Sequence, residues 1–322
     1  MADKHLVIGT RGSDLALWQS THIKTLLETH PAGLTVELKT IRTTGDKILD
    51  SPLSKIGDKG LFTKELEHAL LDQAIDLAVH SLKDIPTQIP EGLAIGAVTQ
   101  REDVRDVFVS HPSKGHKHLS DLPSGAVLAT GSLRRRCQLL QIRPDFKIVD
   151  IRGNLATRMK KLEESDWDGM LLARAGMLRL GWESRITEIL PPETVLPAVG
   201  QGALGIEIRE NDEALRSLLS FVHDQDTAAA VKGERALLRW LEGGCQVPIG
   251  TYGRMEAGAF FLDAMIGSLD GKRVVRGNIS GPPDESEKLG VQLAQQLFSK
   301  GGKTILDEIR STLSDVPGVS PP

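Results

Sequence analysis

The stretch HLVIGTRGSDLALWQSTHIKTLLETHPAGLTVELKTI, residues 5–41, reads as strand, tight turn, helix and strand. Residues 5–9 form an apolar run, and Thr10-Arg11-Gly12-Ser13 makes the turn. Behind Ser13, a good helix N-cap, Leu15, Trp18, Ile23, Leu26 and Leu27 recur with helical periodicity. Leu34, Val36 and Leu38 then alternate along a second strand, Leu34 to Ile41. Two strands joined through a helix predict a parallel sheet with a right-handed crossover, and hence an α/β fold. The turn has chemical meaning too, because the free N–H groups at a helix N-terminus attract anions and Arg11 adds a charge there.

The plan recurs downstream. Gly125 to Thr130, Gly131, Ser132 and Leu133-Arg134-Arg135-Arg136 repeat strand, glycine turn, serine cap and arginine-bearing helix, which predicts a second lobe with its own anion cradle. Between the two cradles lies a long polar connection, residues 43–60, with the composition of a lid that carries Lys55 and Lys59. A helix over 61–73 and a strand over 75–79 follow, the strand running into His80-Ser81-Leu82-Lys83-Asp84-Ile85-Pro86. Lys83 and Asp84 thus stand at the carboxyl end of a strand, where open α/β sheets place their ligands. Pro86 and Pro90 make the exit a stiff turn. The second lobe continues through a strand ending in Arg152, a helix carrying Arg158, and a strand over 169–173 before Arg179. After Pro191, Pro192 and Pro197 the chain crosses back to a strand over 203–208. A third segment begins near Phe221 with a helix that ends just before LEGGCQVPIG, residues 241–250. The glycines there stop the helix and leave Cys245 on a loop. Strands near Thr251, Ala259 and Arg273 and a helix over about 285–299 complete the pattern, and the proline-rich tail after Leu313 reads as disordered.

Composition narrows the function classes. The chain has 322 residues, enough for two or three cores, and a net charge of -4, which argues against a general nucleic-acid surface. Yet seven basic residues and two acidic ones fall between Arg134 and Arg158. Arginine grips carboxylates with a planar fork, so an acidic protein that concentrates it in one stretch points to a small polyanion. Two cysteines, Cys137 and Cys245, are too few for a disulfide scaffold or a metal quartet, so no metal is expected, and His111, His116 and His118 read as a solvated loop. The opening residues lack the pattern of a secretory leader and no window is apolar enough for a membrane span, which predicts a soluble cytoplasmic protein with no membrane or nucleic-acid partner.

Six stretches in order carry a resemblance: GTRGSDLALWQ (9–19), AVHSLKDIPT (78–87), ATGSLRRRCQL (129–139), IRGNLATR (151–158), PAVGQGALGIE (197–207) and EGGCQVPIG (242–250). On these the chain resembles the porphobilinogen deaminase, or hydroxymethylbilane synthase, family of tetrapyrrole biosynthesis. The resemblance implies three α/β domains. The first two are like the lobes of a type II periplasmic binding protein with mixed, mainly parallel sheets, and the third is small with a three-stranded sheet. The expected spans are 1–102 with 203–220, then 103–202, then 221–322. It also implies a transferase that condenses four porphobilinogen molecules head to tail with loss of ammonia, on a dipyrromethane primer held by a thioether to Cys245. Hydrolysis then releases hydroxymethylbilane, which passes to the next enzyme of the pathway, and the protein is expected to be a monomer. Carried over by motif, Asp84 is the catalytic carboxylate. Ser81, Lys83, Asp84, Thr130, Ser132, Arg134 and Arg135 would meet the cofactor, and Arg11, Ser13, Arg152, Arg158 and Arg179 the substrate and the carboxylates of the growing chain. Lys59 and Phe62 would belong to the lid. The competing reading is a two-lobed anion-binding or solute-binding protein without catalysis, which explains two cradles but not a third segment that offers a thiol.

Overall fold

A computed structural model describes residues 4–47, 60–243 and 246–314. The chain opens with β1 (Lys4–Thr10), α1 (Asp14–Glu28), β2 (Leu34–Thr40), the single turn α2 (Thr44–Lys47), α3 (Lys64–Leu71), β3 (Leu77–Ser81) and β4 (Leu93–Val98). It continues through β5 (Asp106–Ser110), β6 (Val127–Ala129), α4 (Leu133–Ile142), β7 (Lys147–Val149), α5 (Leu155–Glu163), β8 (Gly169–Ala173), α6 (Arg174–Arg179) and β9 (Glu188–Leu190). After β10 (Leu204–Arg209), α7 (Glu213–Leu219) and α8 (Gln225–Trp240) come β11 (Ile249–Glu256), β12 (Ala259–Gly267), β13 (Val274–Gly281), α9 (Ser286–Leu297) and α10 (Lys303–Ser314). The described residues up to Glu102 form one compact unit with Gly200–Ala228, and Asp103–Val199 with the described residues from Ala229 onward form a second.

The first unit is built on a five-stranded sheet of order β2-β1-β3-β10-β4. β1 pairs in parallel with β2 and β3, as the opening stretch requires, while β10 runs antiparallel between β3 and β4. The second unit repeats this arrangement in β7-β6-β8-β5-β9, with β5 as the inverted strand. In each sheet the inverted strand follows a change of unit in the chain. β5 comes just after residue 102 and β10 just after residue 199. β3 and β8 are buried along nearly their whole length, which is why they read as continuous apolar runs and not as alternating ones.

The third sheet, β11-β12-β13, is wholly antiparallel. Its core gathers Leu237 and Leu241 from α8 and the segment after it, Phe260 and Leu262 from β12, Leu293 and Leu297 from α9, and Leu306 and Ile309 from α10. Within the same unit Cys137, on α4, packs with Leu196 and Met265. A Cβ on Gly267 would lie 2.2 Å from the Cys137 sulfur, so the strand approaches α4 as only glycine permits. The expected α/β class, with two mixed sheets and a small three-stranded one, is thus met. The sequence reading does not include α2, α6, α7, β9 or α10, the last of which begins after Gly301 turns the chain at φ 112°.

Candidate functional site

In the first unit the carboxyl ends of β1 and β3 deliver Arg11, Ser13, Ser81 and Asp84 to one cavity, which Gln19 and Phe62 also border. Ser13 caps α1, its hydroxyl accepting the Ala16 N–H at 3.4 Å. Gln19, buried on α1, donates its amide to the Ser81 hydroxyl at 2.8 Å. Each of these serine oxygens therefore acts as an acceptor inside the protein, which leaves the hydroxyl hydrogen to donate to an anion. The Arg11 guanidinium sits 4.2 Å from the centroid of the Phe62 ring, a cation–π contact that holds the charge at the cavity wall. β3 ends in a single 3-10 turn, Leu82–Asp84, closed by the Ile85 N–H on the Leu82 carbonyl. That turn buries Leu82 and exposes Lys83 and Asp84. Gln19 was not among the residues expected from the sequence; its place on the buried face of the helix that Ser13 caps, with Ala16 and Ile23, was the available signal.

In the second unit the carboxyl ends of β6, β7 and β8 carry the remaining residues. Ser132 caps α4 through the Arg135 N–H and Asn154 caps α5 through the Thr157 N–H, so each helix start is fixed by its own side chain. Thr130 donates its N–H to the Val149 carbonyl at 2.9 Å, and its hydroxyl accepts the Ser132 N–H. A Cβ at Gly131 would stand 2.7 Å from the Ile151 carbonyl oxygen, so the glycine lets the turn that carries Thr130 and Ser132 lie against the segment that carries Arg152. Arg152 is buried, Arg158 donates its Nε–H to the Gly153 carbonyl at 2.8 Å, and Arg179 closes α6 half-buried.

Arg134 and Arg135 are both buried and converge on Asp106, at the start of β5, with contacts of 2.8 Å each. Arg134 also donates to the Leu196 carbonyl and Arg135 to the Leu171 carbonyl. Burial alone would raise the Asp106 carboxyl, but the two guanidinium groups hold it well below the usual carboxylate range. One carboxylate against two arginines leaves an uncompensated positive charge, and the Nε–H of each arginine is buried without a partner. Asp106 is the residue that sequence reading missed here: an aspartate opening an apolar strand gives no sign of what faces it.

Cys245 and Lys59 lie outside the described residues. Cys137 is the other cysteine, fully buried, with its thiol pushed up to about 12 by that burial. A thiol so protonated is no nucleophile. The loop carrying His111, His116 and His118 is tied down by carboxylates: Lys114 and His116 reach Asp168 at 3.0 and 3.6 Å, and His118 reaches Glu188 at 3.2 Å. Among the described residues no group of three histidine, cysteine or acidic side chains is placed to hold a metal, and no helix is long and apolar enough to cross a membrane.

Comparison with known proteins gives these arrangements a context. Residues 6–217 match the family model described as porphobilinogen deaminase, dipyromethane cofactor binding domain, and residues 228–299 match that described as porphobilinogen deaminase, C-terminal domain. Relatives named porphobilinogen deaminase from Chlorobium phaeobacteroides and Chloroherpeton thalassium are each 53% identical over 96% of this chain, covering 99% and 98% of their own lengths. One from Syntrophobacter fumaroxidans is 50% identical over 96% of this chain and 99% of its own. Among solved structures, a double-mutant VFT2 domain of Bordetella pertussis BvgS aligns at 15% identity over 68% of this chain and 86% of that chain, with a TM-score of 0.41.

Proposed function

The chain belongs to the porphobilinogen deaminase family, and from that premise we propose which of its residues carry the reaction. The protein is a transferase of tetrapyrrole biosynthesis that acts on porphobilinogen and uses a dipyrromethane cofactor. Both halves of the chain match that family, so a binding protein without catalysis is not favoured.

The observation that carries the assignment of roles is the exposed Asp84 carboxylate, held on a one-turn projection beside Arg11, Ser13 and Ser81 in one cavity. Asp84 offsets the positive charge that develops on the substrate ring as ammonia leaves, and holds the proton exchanged at the aminomethyl nitrogen. Arg11, with the donor-ready hydroxyls of Ser13 and Ser81, binds substrate carboxylates, and Phe62 keeps the Arg11 guanidinium in place. Lys83 adds a second cation, itself exposed, next to Asp84.

The second unit suits a carboxylate-bearing cofactor. Its surplus charge at Arg134 and Arg135 and the hydroxyls of Thr130 and Ser132 make a set for acetate and propionate groups. Arg152, Arg158 and Arg179 extend that set for the lengthening product. When bound, the dipyrromethane supplies the ring to which porphobilinogen is joined. Cys245 is its attachment point, since the buried thiol of Cys137 is unavailable. Four condensations followed by hydrolysis to hydroxymethylbilane, in a cytoplasmic monomer that hands its product onward, complete the proposal.

Intact mass of the denatured protein tests it. The wild-type chain is expected to exceed its sequence mass by two linked pyrroles, and Cys245→Ser to show none of the excess. Turnover of porphobilinogen by Asp84→Asn is expected to fall by at least about 100-fold with the primer still attached. Normal turnover by that variant, or an adduct that survives in Cys245→Ser, overturns the assignment.

A further inference from the structure

Next to the cavity that Asp84 borders lies a set of buried ionisable groups to which the roles above give no task. Glu207, on β10, is 0% exposed, and Glu67, on α3, and His80, on β3, are 6% and 5% exposed. His80 Nε2 lies 3.1 Å from Glu207 Oε2. A carboxylate only accepts, so the imidazole N–H is the donor and Glu207 fixes the tautomer of the ring. The sheet register supports the contact, since Glu207 stands opposite Ala78 and His80 opposite Gly205 on the adjacent antiparallel strands. His80 borders the cavity, and neither carboxylate does.

The two carboxylates cannot both be ionised cheaply. Glu67 Oε1 and Glu207 Oε1 are each buried without a hydrogen-bond partner, and Glu67 is within electrostatic reach of both Glu207 and His80. Each of two like charges in one dry site raises the cost of ionising the other. Burial pushes the Glu67 carboxyl up and Glu207 reinforces that, against the opposing pull of Thr63, His80 and His68. The remaining charged groups on the facing strands are engaged elsewhere: Arg209 of β10 reaches the Leu70 and Ile75 carbonyls and Asp76. β4 contributes no charged side chain.

We propose that Glu67, Glu207 and His80 act as one unit, in which Glu67 carries the proton, Glu207 is the anion, and His80 is a positioning residue for Ser81 and Asp84. The strand that holds His80 passes directly into Ser81 and the turn that projects Asp84, so a ring locked by Glu207 fixes the point from which that turn departs. The single buried negative charge also favours the positive charge that develops in the cavity during the reaction.

The kinetic consequence rests on the deaminase reading; the protonation state does not. In the holoprotein at neutral pH, infrared spectroscopy is expected to show a protonated, buried carboxyl band that disappears in Glu67→Gln. Glu207→Gln, which keeps shape but removes charge, is expected to lower kcat about tenfold with KM within about twofold. The acidic limb of its rate profile should move to lower pH, because removing one buried anion makes the remaining carboxylates easier to ionise. Absence of the band, its persistence in Glu67→Gln, or a wild-type rate profile in Glu207→Gln overturns the proposal. If Glu207→Gln does not fold, the band alone decides. If the wild-type protein shows the band but releases no ammonia from porphobilinogen, the deaminase reading fails and the charge unit stands.

Discussion

Asp106 shows how much of this protein's chemistry depends on single buried contacts. It pairs with two guanidinium groups that would otherwise be buried charges without a counter-ion, and its own charge exists because they are there. Removing one member of such a group costs far more than the group contributes relative to an apolar replacement, because the partners stay charged. Asp106→Asn is therefore expected to lower stability by roughly 3 kcal/mol in urea unfolding, and to reduce the fraction of chains that carry the primer when intact mass is read at temperatures where the variant is folded. Full primer loading would show that Arg134 and Arg135 need no counter-ion to receive it. Cys137 makes the complementary case. Its thiol is raised to about 12 by burial, so it should resist iodoacetamide in the native protein at pH 8 and react once the chain is unfolded, as peptide mapping would show. Native labelling of Cys137 would mean that its packing against Leu196 and Met265 opens readily.

At the scale of elements, α8 and α9 cross closely at two glycines. A Cβ on Gly290 would stand 2.2 Å from the Gly233 carbonyl oxygen, and a Cβ on Gly233 would meet the Phe260 ring at 2.4 Å. Backbone cannot yield as a side-chain tip can, so Gly290→Ala is expected to cost about 2–3 kcal/mol by thermal or urea unfolding, with the helices displaced. A loss under half a kcal/mol would mean the crossing is looser than this contact indicates. Neither glycine announces itself in the sequence, where Gly233 looks like a weak point in a helix. That contrast marks what sequence reading reached. Strand, cap and crossover were legible wherever a local signal fixed them: Ser13 and Ser132 as caps, β4 and β8 at their full extents, Asp84 at a strand end. What stayed hidden depends on non-local pairing. The inverted strands β5 and β10 look like any apolar run until their neighbours are known, and Gln19, Asp106 and the His80–Glu207 pair draw their meaning from residues up to 127 positions away. α10 was missed because Gly301-Gly302 reads as the end of structure when it is a turn between two helices.

For the whole molecule, these depressed carboxylates set the response to acid. Burial raises the Asp103 carboxyl, but hydrogen bonds from Arg105 and Arg174 outweigh it and bring it to about 2. Asp106 lies well below the ordinary range and Asp168 is lowered as well, after the same opposition from burial. A group depressed in the folded state contributes stability that is fully present above its unfolded pKa, about 3.9 for aspartate, and is lost as pH falls toward the folded value. Glu67 works the other way: raised in the folded state, its favourable contribution is fully present at pH below its unfolded value and is lost as pH rises through the folded one. With Asp145, Asp270 and Glu308 also lowered by their hydrogen-bond partners, six depressed carboxylates against one raised glutamate predict a melting temperature that falls steeply below about pH 4. Asp103, whose side chain is 16% exposed, contributes about 2 kcal/mol of that at neutral pH. Asp103→Asn should therefore be less stable than wild type at pH 7 by about that amount, and the gap should close progressively as both proteins are titrated from pH 4 toward pH 2. Parallel curves for the two proteins over that range would mean that Asp103 is ionised to the same extent folded and unfolded, and that its two arginines give it no net hold on the fold.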